Sequence, residues 1–238
     1  MLKSLLPVTA LLLATGVSSF ADVSFVQVIV EGRGSESVTL KQKGARLRVD
    51  RNAGGEAVSS AIYDQKTGDV IVLLHGEEKS FLKFAKATTD KLRKQYKTLE
   101  ASEQGKAAKA ANPEIRPRAN GKKGEVMGFA TDEYVVESPD GPVIYAVAKA
   151  FPGWKDLLRS LDSLIFAAGP GAYPPKEYMP AFRLLPGFPM RVNSRLPVLG
   201  DPVTVSVEKL DKSLLPDSDF TAPADYTQDV GDHSVAPD

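Results

Sequence analysis

The chain contains no cysteine, and this absence excludes several classes of function at once. Without cysteine there is no disulfide, no thiolate nucleophile, no cysteine-bound zinc and no lipid-modified cysteine. Only two histidines occur: His75 follows a strand pattern and borders a turn, and His233 lies in a polar tail. No Gly-x-Ser-x-Gly motif accompanies them, so a catalytic triad is not indicated. We therefore expect no metal and no other cofactor.

The chain also lacks an excess of charge, with 30 Lys and Arg against 30 Asp and Glu. Nucleic-acid-binding proteins need a basic surface, so nucleic acid is not expected as a partner. Acidic pairs can catalyse glycoside hydrolysis, but the adjacent Asp132 and Glu133 point to opposite faces of a strand. We therefore predict that the protein is not an enzyme. A hydrolase whose carboxylates converge only in the fold is the least favoured alternative.

A long apolar run is found only at the N-terminus. Residues 1–21 have a basic start at Lys3, an apolar stretch over Leu5–Ala14, and Ser19-Phe20-Ala21 before Asp22. This is the layout of a cleaved signal peptide, and the stretch is shorter than the roughly 20 residues that span a bilayer. The sequence predicts a periplasmic or secreted protein with no transmembrane anchor after cleavage.

Short alternating stretches with frequent turns predict an antiparallel sheet. Arg46–Asp50 alternates polar and apolar residues, and the turn residues Gly54 and Gly55 follow it. Similar stretches separated by turns indicate a meander and not a parallel sheet. Further strands are predicted at residues 59–63, 70–74, 125–137, 143–149, 190–193 and 203–209.

Two segments change to a helical period. Residues 86–99 place apolar side chains near one face, and Trp154–Ala168 is the clearest amphipathic helix of the chain. Its stripe includes Leu158, Leu161 and Ile165, which are the candidate ligand-binding residues because the stripe must face either core or cargo. Plain core packing is the alternative for each of the three. With the strands, these helices make an α+β fold.

Composition predicts how the chain after the signal peptide is organised into a domain, loops and a tail. Residues 22–228 are predicted to form a single domain, interrupted by a flexible basic excursion near residues 101–124. A Pro/Gly/aromatic segment at residues 169–189 has the composition of a lid or binding loop. Residues 229–238 are predicted to form a disordered tail.

The order of several motifs resembles an exported bacterial family catalogued as domain of unknown function 4412. The resemblance covers residues 22–228, although residues 128–131 lack the cysteine that the family often carries there. The motifs that carry it are Arg46-Leu47-Arg48-Val49-Asp50, Gly68-Asp69-Val70-Ile71-Val72-Leu73-Leu74, Gly128-Phe129-Ala130-Thr131-Asp132-Glu133-Tyr134, Gly187-Phe188-Pro189-Met190-Arg191-Val192, and the run from Leu215-Pro216-Asp217 to Ala224-Asp225-Tyr226.

That family is similar in fold to the periplasmic lipoprotein carrier and related lipid-binding proteins. The resemblance implies a strongly curved antiparallel half-barrel with two or three helices packed on its concave face. A curved sheet closed by a helix either fills its interior or leaves an apolar cleft. Two functions follow as expectations. The first is a non-catalytic carrier or binder of a lipid or lipidated protein, and the alternative is an envelope protein-interaction module without a small ligand.

Overall fold

A computed structural model describes residues 22–31, 34–102, 116–137, 141–168, 179–194 and 203–229. Within these residues twelve strands form one sheet. The strands are β1 Val23–Glu31, β2 Gly34–Lys43, β3 Arg46–Ala53, β4 Glu56–Asp64, β5 Val70–Leu74, β6 Ser80–Phe84, β7 Arg118–Val126, β8 Phe129–Val136, β9 Val143–Ala148, β10 Phe188–Ser194, β11 Val203–Asp211 and β12 Thr227–Gln228.

The strand order is β12-β6-β5-β4-β3-β2-β1-β11-β10-β9-β8-β7. Only the short pair β12–β6 is parallel among the pairings described, and all the others are antiparallel. The predicted α+β class with an antiparallel sheet is confirmed in these coarse terms. As described, the sheet is neither closed nor strongly curled, in contrast to the half-barrel that the resemblance implies. Period-two alternation shows which face of a strand is buried, but it carries no information on how far a sheet curls.

Three helices lie in the described part of the chain: α1 Lys86–Ala101, α2 Trp154–Ala168 and α3 Met179–Leu184. The bounds of α2 are those predicted from its period, and α1 extends slightly beyond its predicted end. The apolar spacing of α2 buries Leu157, Leu161 and Leu164 against the sheet. The helix packs on β3, β4 and β5 and also contacts α1 and α3.

The main core lies between α2 and one face of the sheet, which we call the helix face. Its sheet side chains alternate with residues that point to the opposite face. Helix-face residues of β1 to β5 include Val23, Phe25, Val38, Leu40, Leu47, Val49, Ala61 and Val70. Toward β10, the ring of Phe151 stacks on Phe188, with their centroids 4.5 Å apart. The apolar alternation of the strands therefore accounts for the core.

Part of the predicted flexible excursion is a strand. Residues 103–115 lie outside the described residues, but β7 begins at Arg118, before the predicted strand start at residue 125. Every side chain of β7 except that of Val126 is exposed, and the strand lies at one end of the strand order. Such a strand has no apolar alternation for a sequence pattern to show. The predicted signal peptide, residues 169–178 of the predicted loop 169–189, and the tail residues 230–238 also lie outside the described residues. The rest of that predicted loop contains α3 and the start of β10.

The turn between β7 and β8 carries an unfavourable residue. Met127 has a φ of 51° and Gly128 a φ of 77°, as in a type I′ hairpin turn. A left-handed conformation costs an ordinary residue about 1–2 kcal/mol, whereas Asn tolerates it. Met127→Asn is therefore expected to raise the free energy of unfolding by about 0.5–1 kcal/mol in chemical denaturation. Met127→Ala is the control and should bring no gain, and a loss of stability in Met127→Asn would contradict the prediction.

No helix among the described residues has both the length and the apolar character that a membrane crossing requires.

Candidate functional site

Two of the three predicted ligand residues belong to the main core. Leu158 and Leu161 are 7% and 2% exposed and lie in the cluster between α2 and the sheet. The side chain of Ile165 lies outside the described residues. In this arrangement Leu158 and Leu161 contact protein on the helix face, as the core-packing alternative requires.

A second feature covers the opposite face of β2 to β6. Residues 212–229 leave β11 and cross this face before ending in β12, and we call them the strap. They contain a 3-10 turn at Asp217–Phe220 and otherwise little regular structure. The sequence predicts residues 212–228 to belong to the domain but to no helix or strand, and it places Asp229 in the disordered tail, whereas the Asp229 amide donates to the Phe81 carbonyl.

The strap is anchored by a small apolar cluster. Its Leu215 and Phe220 are 8% and 5% exposed, and they pack on Ile62 of β4 and Leu73 of β5. The Arg46 guanidinium carbon lies 5.0 Å from the centroid of the Phe220 ring. This cluster is separated from the main core by the sheet itself.

Ion pairs hold the same segment on β2 and β3. The Lys41 ammonium lies 2.9 Å from the Asp219 carboxylate. Asp217 lies 3.1 Å from Lys43 and 2.5 Å from Arg46. The Arg46 and Lys43 side chains lower the pKa of the Asp217 carboxyl by hydrogen bonding and charge. The strap therefore neutralises a row of three cations on the sheet.

A chain of hydrogen bonds links the sheet to the end of the strap. The Arg48 Nε donates to the Asp50 Oδ1 at 2.7 Å, and the Ser60 Oγ lies 2.5 Å from the same oxygen. The Ser60 Oγ is also 2.7 Å from the His75 Nε2, and the His75 Nδ1 is 2.5 Å from the Tyr226 hydroxyl. One continuous chain therefore runs from β3 to Tyr226 in the strap.

The directions of these bonds follow from the Asp50 carboxylate, which can only accept. Ser60 has one hydroxyl hydrogen and gives it to Asp50, so the Ser60 Oγ accepts from the His75 Nε2–H. The His75 Nδ1 is then free of hydrogen and accepts from the Tyr226 hydroxyl. In a hydrolase triad the histidine takes the hydrogen of the serine, whereas here it donates to the serine. Ser60 is also only 3% exposed, so this geometry joins strap to sheet and does not activate a nucleophile.

The titratable ring of His75 lies in this chain of hydrogen bonds. Burial lowers its pKa below the ordinary value of 6.5; Asp50 opposes this shift, and Arg48 and Lys79 add to it. The folded state thus favours the neutral ring, and the released or unfolded chain takes up a proton more readily. The stabilisation is fully present above pH 6.5 and is lost as the pH falls through the lowered pKa.

We therefore expect hydrogen exchange in residues 215–229 to accelerate, relative to β1, as the pH falls from about 7 to 5 after correction for intrinsic rates. The carboxylates with lowered pKa values, such as Asp217, act only at more acidic pH. His75→Gln should remove the acceleration between about pH 7 and 5. An equal acceleration in His75→Gln would show that another group is responsible.

The adjacent acidic residues Asp132 and Glu133 each form an ion pair with a different lysine. Asp132 lies 2.7 Å from Lys149, and Glu133 pairs with Lys122 at 3.7 Å. In the described ranges, no three His, Asp or Glu side chains form a cluster suited to a metal ion.

The sequence places His75 beside a turn but does not show its partners. Ser60 and Tyr226 are 15 and 151 residues away, so no local spacing reveals the contacts. The one signal available was the run of apolar and acidic residues at 215–220, within a segment too polar to suggest a docked element.

Comparisons with known proteins leave the family open, since no family model and no curated protein matches this chain. An uncharacterized conserved protein from Thermus thermophilus has a TM-score of 0.45 and 10% identity, covering 89% of this chain and 93% of that one. Structures of PNGF-II in two space groups give TM-scores of 0.40 and 0.39 at 9% and 8% identity. They cover 87% and 88% of this chain, which spans 31% of PNGF-II. With TM-scores below 0.5, these likenesses do not bear on function.

Proposed function

We propose that the protein is an exported, non-catalytic protein that binds or carries a lipid or another apolar ligand between its sheet and α2. One observation carries the proposal: two buried glutamines on the helix face of β1 and β2 each have a side-chain amide atom without a hydrogen-bond partner. Gln27 and Gln42 are 3% and 4% exposed, and the Gln27 Oε1 and Gln42 Nε2 are both unsatisfied. An unsatisfied buried polar atom costs about 1–3 kcal/mol, and a polar group on an otherwise apolar ligand would offset that cost.

Ligand entry on this side requires α2 to move. Leu161 is 2% exposed, so the helix lies closely on the sheet. Three side-chain hydrogen bonds also hold α2: Gln65 to Ser160, Arg183 to Asp162, and Arg93 to Ser163. Ligand entry therefore requires these contacts and the apolar packing of Leu161 to break, and we propose that α2 swings outward to admit the ligand.

Other expectations belong with this proposal. The composition of residues 1–21 supports export, and the motif order supports the resemblance to domain of unknown function 4412. The packing of α2 on β3 to β5 supports helices on one face of the sheet, without the strong curvature of a half-barrel. A periplasmic lipid or lipidated protein is the partner that this interpretation favours.

The first experiment is native mass spectrometry of the protein purified from the periplasm of a bacterial host. A stoichiometric adduct is expected, and extraction would identify its lipid class. Oleate is then titrated into stripped protein while the emission of Trp154 is followed. Trp154 is the single tryptophan and the first residue of α2, so its emission reports movement of that helix.

A matched pair of variants locates the ligand. Leu158→Asn should weaken oleate binding, and Arg159→Asn, on the exposed side of α2, should leave it unchanged. Circular dichroism checks that both variants are folded. A clean mass from the periplasm, together with no response of Trp154 to oleate, would overturn the proposal.

One observation favours the alternative, an envelope protein-interaction module without a small ligand. The exposed edge strand β7 carries Arg118, Lys122 and Lys123 and could accept a strand from a partner. Lysines on an edge strand also discourage pairing, so an acidic partner strand is required. Periplasmic cross-linking should give a defined adduct that is lost when Lys122 and Lys123 are both changed to Glu. An unchanged adduct would rule out β7 as the contact.

A further inference from the structure

The face beneath the strap combines two neighbouring zones of different chemistry. Three cations, Lys41, Lys43 and Arg46, lie on β2 and β3, and each is only about a quarter exposed. An apolar patch lies beside them on β4 to β6: Arg48, which is the register partner of Lys41 on one side, is the register partner of Ile62 on the other. The patch residues are Ile62, Ile71, Leu73 and Phe81.

The strap satisfies both zones at once. Its carboxylates on Asp217 and Asp219 contact the cations, while Leu215 and Phe220 cover the apolar patch. Negative charge is thus placed directly beside apolar bulk. A molecule with one anionic head and an acyl chain has the same pattern, which is complementary to this face.

The strap is also held in a way that permits release. It has one 3-10 turn and a two-residue strand, so few backbone bonds fix it to the sheet. Asp217 is 74% exposed, and the pair between Lys79 and Asp225 is more than half exposed on both sides. Exposed ion pairs contribute little, and segments of this kind open at a lower free energy than the whole fold.

We propose that the strap face of β2 to β6 is a binding site for an anionic amphiphile, which the strap occupies in the absence of that ligand. The head group binds Lys41, Lys43 and Arg46, and the acyl chain lies on Ile62, Leu73 and Phe81. Ligand and strap compete for the same contacts. This second site is on the other side of the sheet from α2, so it goes beyond the proposed function and does not require α2 to move.

A reversible disulfide tests the competition. Ser80 and Thr227 are register partners of β6 and β12, and neighbouring strands lie about 4.8 Å apart, which suits a disulfide. Because the native chain has no cysteine, Ser80→Cys with Thr227→Cys creates the only two thiols. With the disulfide oxidised, affinity for oleate should fall at least tenfold, and reduction should restore it. Equal affinity in both states would overturn the proposal.

A second pair of variants leaves the fold intact and tests the charge. Asp217→Asn removes the strap carboxylate from Lys43 and Arg46, so oleate should bind about threefold to tenfold more tightly. Asp132→Asn breaks a pair with Lys149 that involves no residue of the strap and should not change the affinity. Unchanged or weaker binding in Asp217→Asn would contradict the model of competition.

The choice of probe distinguishes the sources of the head group and separates the two proposals. Oleate carries a carboxylate and lysophosphatidylglycerol a phosphate, and binding of either supports an anionic site; equal binding of neutral decyl maltoside contradicts it. If oleate changes the emission of Trp154 and binds the oxidised and the reduced protein with equal affinity, the proposed site at α2 stands and the strap site fails. If no form binds any probe, both proposals fail.

Discussion

Leu161→Ala is expected to lower the free energy of unfolding by about 3 kcal/mol. Leu161 is 2% exposed in the middle of α2, and it packs on the helix face within the main core. Truncation removes apolar burial and leaves a cavity that the surrounding strands cannot fill, because the sheet ladders hold them in place. Denaturant unfolding followed by far-UV circular dichroism measures the change.

The control for Leu161→Ala lies two residues earlier on the same helix. Arg159 is exposed and pairs with Asp156 at 2.6 Å, so Arg159→Ala should cost less than about 1 kcal/mol. A small loss in Leu161→Ala, combined with loss of a bound lipid, would instead place Leu161 on a ligand cavity. The stability of Leu161→Ala therefore shows whether the apolar stripe of α2 packs in the core or lines a ligand cavity.

Local patterns were sufficient for the elements that bury apolar side chains at regular positions. The bounds of α2 follow from its apolar spacing of three and four residues, and β5 occupies the predicted residues 70–74. α2 buries one face, whereas β5 is a short continuous apolar run, with Val70 in the main core and Leu73 beneath the strap. The antiparallel character of the sheet followed from short strands separated by turns.

Elements without such a pattern were not predicted. β7 has exposed side chains on both faces, so neither alternation nor an apolar run marks it. The strap depends on two apolar anchors and on ion pairs to residues more than 170 positions away, such as Asp217 with Arg46. Long-range contacts of this kind leave no trace in local spacing, and the apolar and acidic run at residues 215–220 does not show where it docks.

The candidate site residues differ in the same way: local spacing can select some of them, and only long-range contacts identify the others. Leu158 and Leu161 could be selected because they lie on a stripe, but a stripe that faces core and one that faces cargo have the same spacing. The cation row could not be selected, because Lys41 and Arg46 are ordinary polar positions of alternating strands. Their role becomes apparent only when the strap places carboxylates on them.

Phe220→Ala is expected to release the strap without unfolding the sheet. Truncating a buried Phe lowers the free energy of unfolding by about 3–5 kcal/mol when the residue belongs to the cooperatively folded core. Phe220 is 5% exposed but belongs to a separate cluster of four buried residues. The free energy of unfolding of the whole protein can therefore fall by no more than the free energy that attaches the strap to the sheet. Beyond that limit the strap detaches, and the main core on the other face stays packed.

Hydrogen exchange of Phe220→Ala should therefore show a local change. The amides of Thr227 and Asp229 donate to the carbonyls of Lys79 and Phe81, and they should lose protection while β2 and β3 keep theirs. Leu214→Ala is the matched control, because Leu214 lies in the same segment but is 89% exposed. Uniform loss of protection across the sheet would show that the strap is integral to the fold. Unchanged protection would show that the ion pairs alone hold the strap. A ligand could then displace the strap only by competing with its carboxylates for the cations.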